Sequence, residues 1–424
     1  MTNHMTTIGE IAQIYDGPHA TPKKTNIGPY FLSISSLDSG RLDLSKSAHL
    51  SEKDFITWTK RVTPQEGDLL FSYETRLGEA ALMPGGIKSC LGRRMGLLRP
   101  DPDRIISEYL LYEYLSPHFQ QIISQNTIVG ATVNRIALSE MSEYPIHVPP
   151  LAEQELISTL LVSIDKKIAL NNKINTELEA MAKLIYDYWF VQFDFPDANG
   201  KPYKSSGGKM VYNEALKGEI PEGWEVKELS SILKSNYASI GKNHSFQEIE
   251  YLDTGSLTKN VIEGTENINT MQDKAPSRAK RIVQKNDILY STVRPKLCHY
   301  GIVKNPIQNM VASTGFVQLT SRIPAIGNDL IYTFLTSSWV TSRLQQIATL
   351  AVSAYPSISP NDILELHIAL PKDEKLVAPI NVQLESIYSK VALNQQENMA
   401  LTDLRDWLLP MLMNGQVTIK NTAS

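Results

Sequence analysis

"IDKKIALNN" at residues 164–172 returns almost unchanged as "IYSKVALNQ" at residues 387–395, 223 positions later. A self-similar interval of this length is the mark of a duplicated unit. Further matches keep the same order. EGDLLFSYETR (66–76) answers NDILYSTVRP (286–295), with Asp68 over Asp287 and Ser72 over Ser291, an offset of 219. Gly96-Leu-Leu answers Gly315-Phe-Val at that offset, and LYEYLS (111–116) answers IYTFLT (331–336) at 220. NRIALSEM (134–141) answers PSISPNDI (356–363) at 222, and IHVPP (146–150) answers HIALPK (367–372). Each match alone is weak; the ordered series is strong.

Inside each copy, short β-rich runs such as GDLLFSY, GLLRP and YPIHVP, or DILYSTV, GFVQLT and LHIALP, are bounded by Gly, Pro, Asn and Asp. Helical patterns lie between them, which predicts an α+β domain of about 140 residues. A proline follows each, and then a long helix. The first carries apolar positions at Ile157, Leu160, Ile164, Ile168, Asn171, Ile174, Leu178, Met181, Ile185 and Tyr188. The second carries Ile380, Leu384, Ile387, Val391, Asn394, Asn398, Leu401, Leu404, Leu408 and Met411. Steps of three and four over such a length are those of a coiled-coil seam. The two stripes are expected to pair antiparallel, bringing the mid-helix residues Asn171 and Asn394 together to fix register. The expected fold is therefore two similar α/β domains separated by two long antiparallel helices, an internal pseudo-twofold repeat on a rod about 55 Å long. Between the copies, residues 194–226 are rich in Gly, Pro, Lys and Ser and read as an ordered connector. The aromatic cluster Tyr186, Tyr188, Trp189, Phe190 and Phe193 reads as core or as a docking patch.

Composition bounds the function. With 424 residues, 42% hydrophobic and 20% charged, the chain is of ordinary soluble type. The N-terminus lacks a secretory pattern and no run is apolar enough to span a membrane. A cytoplasmic location is expected, with Cys90 and Cys298 as buried small apolar residues. A net charge of −4 announces no nucleic-acid partner, yet the charge is uneven. Residues 274–304 carry Lys274, Arg278, Lys280, Arg281, Lys285, Arg294, Lys296 and Lys304 against Asp287 alone. Residues 86–104 carry Lys88, Arg93, Arg94, Arg99 and Arg104 against Asp101 and Asp103. On charge alone, a solvated basic face explains both.

Catalytic signatures are missing. No Gly-x-x-x-x-Gly-Lys-[Ser/Thr], Asn-Pro-Pro-[Tyr/Phe], His-Glu-x-x-His or Gly-x-Ser-x-Gly occurs. Asp362 with Glu365 suggests a nuclease carboxylate pair, but a strand-leading turn favours a capping role. The chain is read as a non-enzyme.

PPLAEQELI (149–157), the I-x-x-K-I-A-L-N-N helix, FDFP…GKPYKSSGGKMV and IPEGWEVKEL (220–229) resemble the specificity subunits of type I restriction–modification enzymes. LPKDEKL through LRDWLLPMLMNGQV (370–417) matches the family's second conserved region, departing where PKDEKL replaces P-P-L-x-E-Q. The resemblance covers nearly the whole chain. It implies target-recognition domain 1 at 1–149, conserved helix 1 at 150–193, a connector at 194–223, domain 2 at 224–370, conserved helix 2 at 371–413 and a tail at 414–424. It also implies that each domain reads one half of a split double-stranded DNA target. Two methyltransferase subunits and motor–nuclease subunits would be the partners, carrying S-adenosylmethionine, ATP and Mg²⁺, with no cofactor or metal in this chain.

In that light the basic stretches become DNA-contacting candidates. Arg294 and Lys296 lie in the segment equivalent to the one holding Arg76, and arginine suits guanine edges or phosphate. Lys274, Arg278, Lys280 and Arg281, with Lys88, Arg93 and Arg94 in the first copy, suit phosphates. A coiled-coil scaffold that binds no DNA, or a specificity chain of a methylation-only system, are the alternatives.

Overall fold

The computed structural model describes residues 4–130, 132–241, 246–350 and 356–419, so the last five residues of the expected tail lie outside the described residues. The chain divides into two compact units. One is Met1–Ala169 with Met399–Ser424, the other Leu170–Asn398. Both long helices, Leu151–Tyr186 and Ala378–Met413, contribute to each. Among the described residues no helix is long and apolar enough to cross a membrane.

The duplication is visible strand by strand. In the first unit a four-stranded antiparallel sheet runs Ala12–Asp16, Met95–Pro100, Leu69–Ser72, Ala80–Leu82. In the second it runs Leu233–Ser235, Phe316–Ser321, Asp287–Ser291, Tyr300–Val303 in the same order. The strand Leu69–Ser72 is buried throughout because both faces of the sheet are covered. Successive side chains point to opposite faces. Leu69 and Phe71 join a core with Tyr109, Leu110 and Tyr114 of the helix Ser107–Leu115. Leu70 joins another with Leu32, Leu37 and Leu97. In the second unit Ile288 and Tyr290 face the helix Asn328–Leu335, and Leu289 packs with Leu252 and Phe316.

Register corrects one detail of the repeat. Gly96 stands opposite Phe71, and Val317 stands opposite Tyr290. The residue equivalent to Gly96 is thus Val317, two positions beyond Gly315. Glycine at 96 answers a local need: a Cβ there would meet the Phe71 ring at 2.3 Å.

In the second unit the helices pair antiparallel, since Asn171 bonds Asn398 while Asn175 bonds Asn394. In the first unit Arg405 reaches Asp165 at 3.0 Å. The seam differs from the expected one. Met181 and Leu404 are exposed, while Asn175, Ala182 and Tyr186 are buried. Asn171 and Asn394, both buried, make no direct hydrogen bond with each other. Asn394 Nδ2 donates to Asn175 Oδ1 at 2.8 Å, and Asn171 Nδ2 donates to Asn398 Oδ1 at 2.9 Å and to Glu397 Oε2 at 2.7 Å. Shifted by 223, Asn171 and Asn175 become Asn394 and Asn398, so one bond is made twice.

In the aromatic cluster at the first helix end, Tyr186, Phe190 and Phe193 are core of the second unit, Trp189 packs against it and Tyr188 is partly exposed. Phe190 and Phe193 pack edge-on against Trp224, at 5.5 and 5.4 Å. Asp362 completes a capping box with Ser359, as the turn position suggested. The cysteines fall one to each unit. Cys90 is fully buried, whereas Cys298, at φ +57° after the turn Pro295–Leu297, is half-buried rather than enclosed.

Candidate nucleic-acid interface

Each unit builds the same turn from the residues upward. Asp68 Oδ2 accepts from Gln65 N at 2.7 Å, and Asp287 Oδ2 accepts from Gln284 N at 2.7 Å. Ser72 Oγ donates to Glu74 O, and Ser291 Oγ donates to Val293 O. These bonds lead the strand into a left-handed residue, Thr75 at φ +77° in the first unit and Arg294 at φ +47° in the second. A neighbouring loop then locks the turn. Thr75 N donates to Asn134 O at 3.1 Å, and Arg294 N donates to Pro356 O at 3.0 Å. Ile136 N donates to Tyr73 O, and Ile358 N donates to Thr292 O, both at 2.8 Å. Behind the turn, Tyr73 N donates to Arg94 O and Thr292 N donates to Gly315 O. Arg294 is therefore the counterpart of Thr75, not of Arg76.

This geometry sorts the sequence-predicted residues. Arg76 is turned inward, donating to Ile34 O at 3.0 Å and to Glu79 Oε1 at 3.1 Å. Arg94 lies 3.4 Å from Glu74 and 3.3 Å from Thr75 Oγ1. Lys88 pairs with Glu52 and sits 4.8 Å above the Phe55 ring. Arg76 and Arg94 are thus engaged in partly buried pairs, whereas the Lys88–Glu52 pair lies at the surface. Arg93 is exposed and makes no ion pair with a described residue.

In the second unit, Lys274, Arg278 and Lys296 are exposed, Lys280 is partly exposed, and none pairs with a described carboxylate. Lys280 and Arg281 lie on the strand Ala279–Ile282, whose register shifts between Ala279 and Arg281. A bulge of this kind re-aims a side chain. Arg281 is half-buried with Nη1 3.3 Å from Ser239 Oγ, and burial lowers its pKa. Arg278 is brought beside the turn, its carbonyl accepting from Thr314 N at 2.8 Å. Lys304, counted with the basic stretch, is buried and paired with Asp329 at 2.6 Å. Arg135 escaped the sequence reading. It is exposed, and its backbone pairs with that of Glu74 as an isolated antiparallel β-bridge across the turn, a neighbourhood that only the tertiary pairing reveals.

In the first unit a cleft of about 670 Å³ opens where Arg41, Tyr112, Asp165 and Arg405 converge. Asp165 accepts from Tyr112 OH at 2.6 Å and from Arg405 Nη1 at 3.0 Å, with Arg41 at 3.7 Å. This node fastens Arg41 and Tyr112 to the long-helix residues Asp165 and Arg405 within the unit. Among the described residues no His/Cys/Asp/Glu group could hold a metal ion.

Residues 2–180 match the family model of the type I restriction modification DNA specificity domain. The MjaIX specificity subunit of Methanocaldococcus jannaschii is 24% identical, covering 88% of this chain and 82% of the relative. The MjaX specificity subunit of the same organism, a putative one by its name, is 24% identical over 96% of this chain and 91% of its own. The HindI specificity subunit of Haemophilus influenzae is 22% identical over 76% of this chain and 80% of its own. Among solved structures, the S subunit of a type I restriction–modification system from M. genitalium superposes with a TM-score of 0.59. It is 17% identical, covers 96% of this chain and 95% of its own, and so speaks for the fold. Residues 2–180 are thus similar to the type I restriction modification DNA specificity domain, and most of the chain is similar to specificity subunits of type I restriction–modification enzymes.

Proposed function

We propose that this chain is the DNA sequence-specificity subunit of a type I restriction–modification complex, with residues 1–149 reading one half of a bipartite, asymmetric target and residues 224–370 the other. The observation that carries it is the duplicated frame: one fold present twice in one chain suits a target read twice. Lys274, Arg278, Lys280 and Lys296 in the second unit supply charge for phosphates, which position without specifying. The chain acts without chemistry of its own and works in the cytoplasm, where chromosomal DNA and its partner subunits meet it.

The partners are two methyltransferase subunits, joined by motor–nuclease subunits in the restricting complex. Two exposed apolar pairs on the helices support the number. Met181 and Leu184 are 52% and 65% exposed in the second unit; Leu404 and Trp407 are 44% and 56% exposed in the first. They are equivalent under the 223-residue offset, and residues three apart share a helix face. Exposed apolar side chains kept at equivalent positions suit one docking helix per repeat.

The test is reconstitution. The purified chain alone should neither methylate nor cleave DNA, and methyl transfer should appear when methyltransferase subunits are added. Met181→Glu with Leu184→Glu should reduce the bound methyltransferase from two copies to one, read by native mass spectrometry. Turnover by the verified-pure chain, or two copies retained by that variant, would refute the corresponding part.

A further inference from the structure

The turn frame is repeated while its tips are not. Gln65/Gln284, Asp68/Asp287, Ser72/Ser291 and Ile136/Ile358 are identical in kind and make equivalent bonds. The outward positions differ every time: Thr75/Arg294, Arg93/Thr314 and Arg135/Ser357. All but the partly exposed Ser357 are exposed.

Surface drift alone would also let exposed residues diverge. Two observations go beyond drift. First, both copies hold a non-glycine residue in the left-handed region at the equivalent place. Glycine would occupy that conformation without strain, and a β-branched threonine is a marked outlier there. Strain of this sort persists where the surroundings enforce it, and it clusters at functional positions. Second, Arg76, Arg93, Arg94 and Arg135 gather around the first turn, and two of them, Arg93 and Arg135, make no ion pair with a described residue. In the second unit Arg294 and Arg278 come to the matching place, since Thr314, the counterpart of Arg93, bonds the Arg278 carbonyl.

We infer that the paired segments 73–76 with 133–136, and 292–295 with 356–358, are the base-reading elements of the two half-sites. Arg135 and Arg93 read the first, and Arg294 reads the second. This rests on the DNA-specificity reading above and adds to it the residues that set the sequence. A common frame with unlike tips lets two domains of one fold read two unlike half-sites. The guanidinium fork matches guanine O6 and N7 in the major groove, so each half-site should contain a guanine held by one of these residues. Arg76, committed inward to Ile34 and Glu79, is not a reader.

The test is selection of duplex DNA from a library randomised in both halves, using the full chain with its methyltransferase subunits. Arg135→Ala should lower the preference at one or two positions of one half-site by roughly 5- to 150-fold and leave the other half-site unchanged. Arg294→Ala should do the same in the opposite half. The unaltered half-site, read from the same molecules, reports that each variant is folded. Arg135→Lys keeps the charge and loses the fork, so affinity for random DNA should persist while the preference is lost. If Arg135→Lys retains full discrimination, or Arg135→Ala weakens all sequences alike, Arg135 grips phosphate and the inference falls while the specificity reading stands. If the unaltered complex enriches no sequence, the specificity reading falls and takes the inference with it.

Discussion

Replacing Asn394 by Leu isolates what the helix seam contributes. Asn394 is buried, and its amide donates to Asn175 Oδ1, itself 9% exposed. Leucine leaves that oxygen without its donor in a place water barely reaches. An orphaned buried acceptor costs about 1–3 kcal/mol, partly offset by the added apolar burial. For a unit of about 230 residues, each kcal/mol moves the thermal midpoint by roughly 2–4 °C, so the second unit's transition should fall by roughly 2–12 °C. Replacing Asn175 by Leu as well removes both partners, and such removal is close to neutral. The double variant should therefore melt above the Asn394→Leu single variant. Scanning calorimetry of the wild type, two singles and the double closes the cycle. Asn171→Leu should cost more, because two bonds are lost, to Asn398 and to Glu397. If the double variant loses the sum of its singles, the amides are not coupled and their twofold repetition has no energetic meaning.

Three further outcomes are expected. Lys280→Ala should weaken binding to all DNA sequences and flatten the slope of log affinity against log salt by about one, measured by anisotropy across a salt series. Lys304→Met strands the buried Asp329 carboxylate and should destabilise the second unit by about 3–5 kcal/mol; adding Asp329→Leu should recover most of it in denaturant melts. Burial pushes the Glu113 carboxyl up to about 8, with His118 4.0 Å away. The folded state thus holds a proton that the unfolded chain releases near pH 4.5, so this contribution is full below pH 4.5 and is lost as pH rises toward 8. Glu113→Gln should flatten the decline of first-unit stability in that window by up to about 1.4 kcal/mol per pH unit; an unchanged pH profile would refute the assignment.

Much of the fold was legible because a duplicated chain supplies its own comparison. Asp68 over Asp287 and Ser72 over Ser291 located the turn frame, and those residues make equivalent bonds in both units. Where legibility failed, three-dimensional pairing was the missing information. Gly96 and Gly315 match as letters, yet the strand register places Gly96 with Val317, since letters cannot see the Phe71 ring. The seam reading found Asn171 but passed over Asn175, because a 3-4 pattern of apolar letters skips polar residues that the helix also buries. The basic stretches were visible as charge. Their division into inward and outward members was not: Arg76 and Arg94 meet Glu79 and Glu74 only after the turn closes, and Lys304 meets Asp329 from 25 residues away. Arg135 sits in a segment matched for its repeat, but its place beside Glu74 comes from the loop that crosses back over the strand.

The placement of the two thiols gives the unmodified chain a built-in timing device. Alkylating reagents attack the thiolate. Cys90 is fully enclosed and burial pushes its pKa up to about 12, so at pH 8 roughly one molecule in 10⁴ would carry the reactive form even if reagent reached it. Cys298, half-buried in the other unit, is open to reagent without unfolding. A time course by mass spectrometry should show a first adduct from the native state and a second that waits for the sheet around Cys90 to separate. When reclosing outpaces alkylation, the rate of that second step divided by the intrinsic thiol rate gives the population of the open first unit. Local opening of that unit can thus be followed in the wild-type chain, with or without DNA, without adding a label.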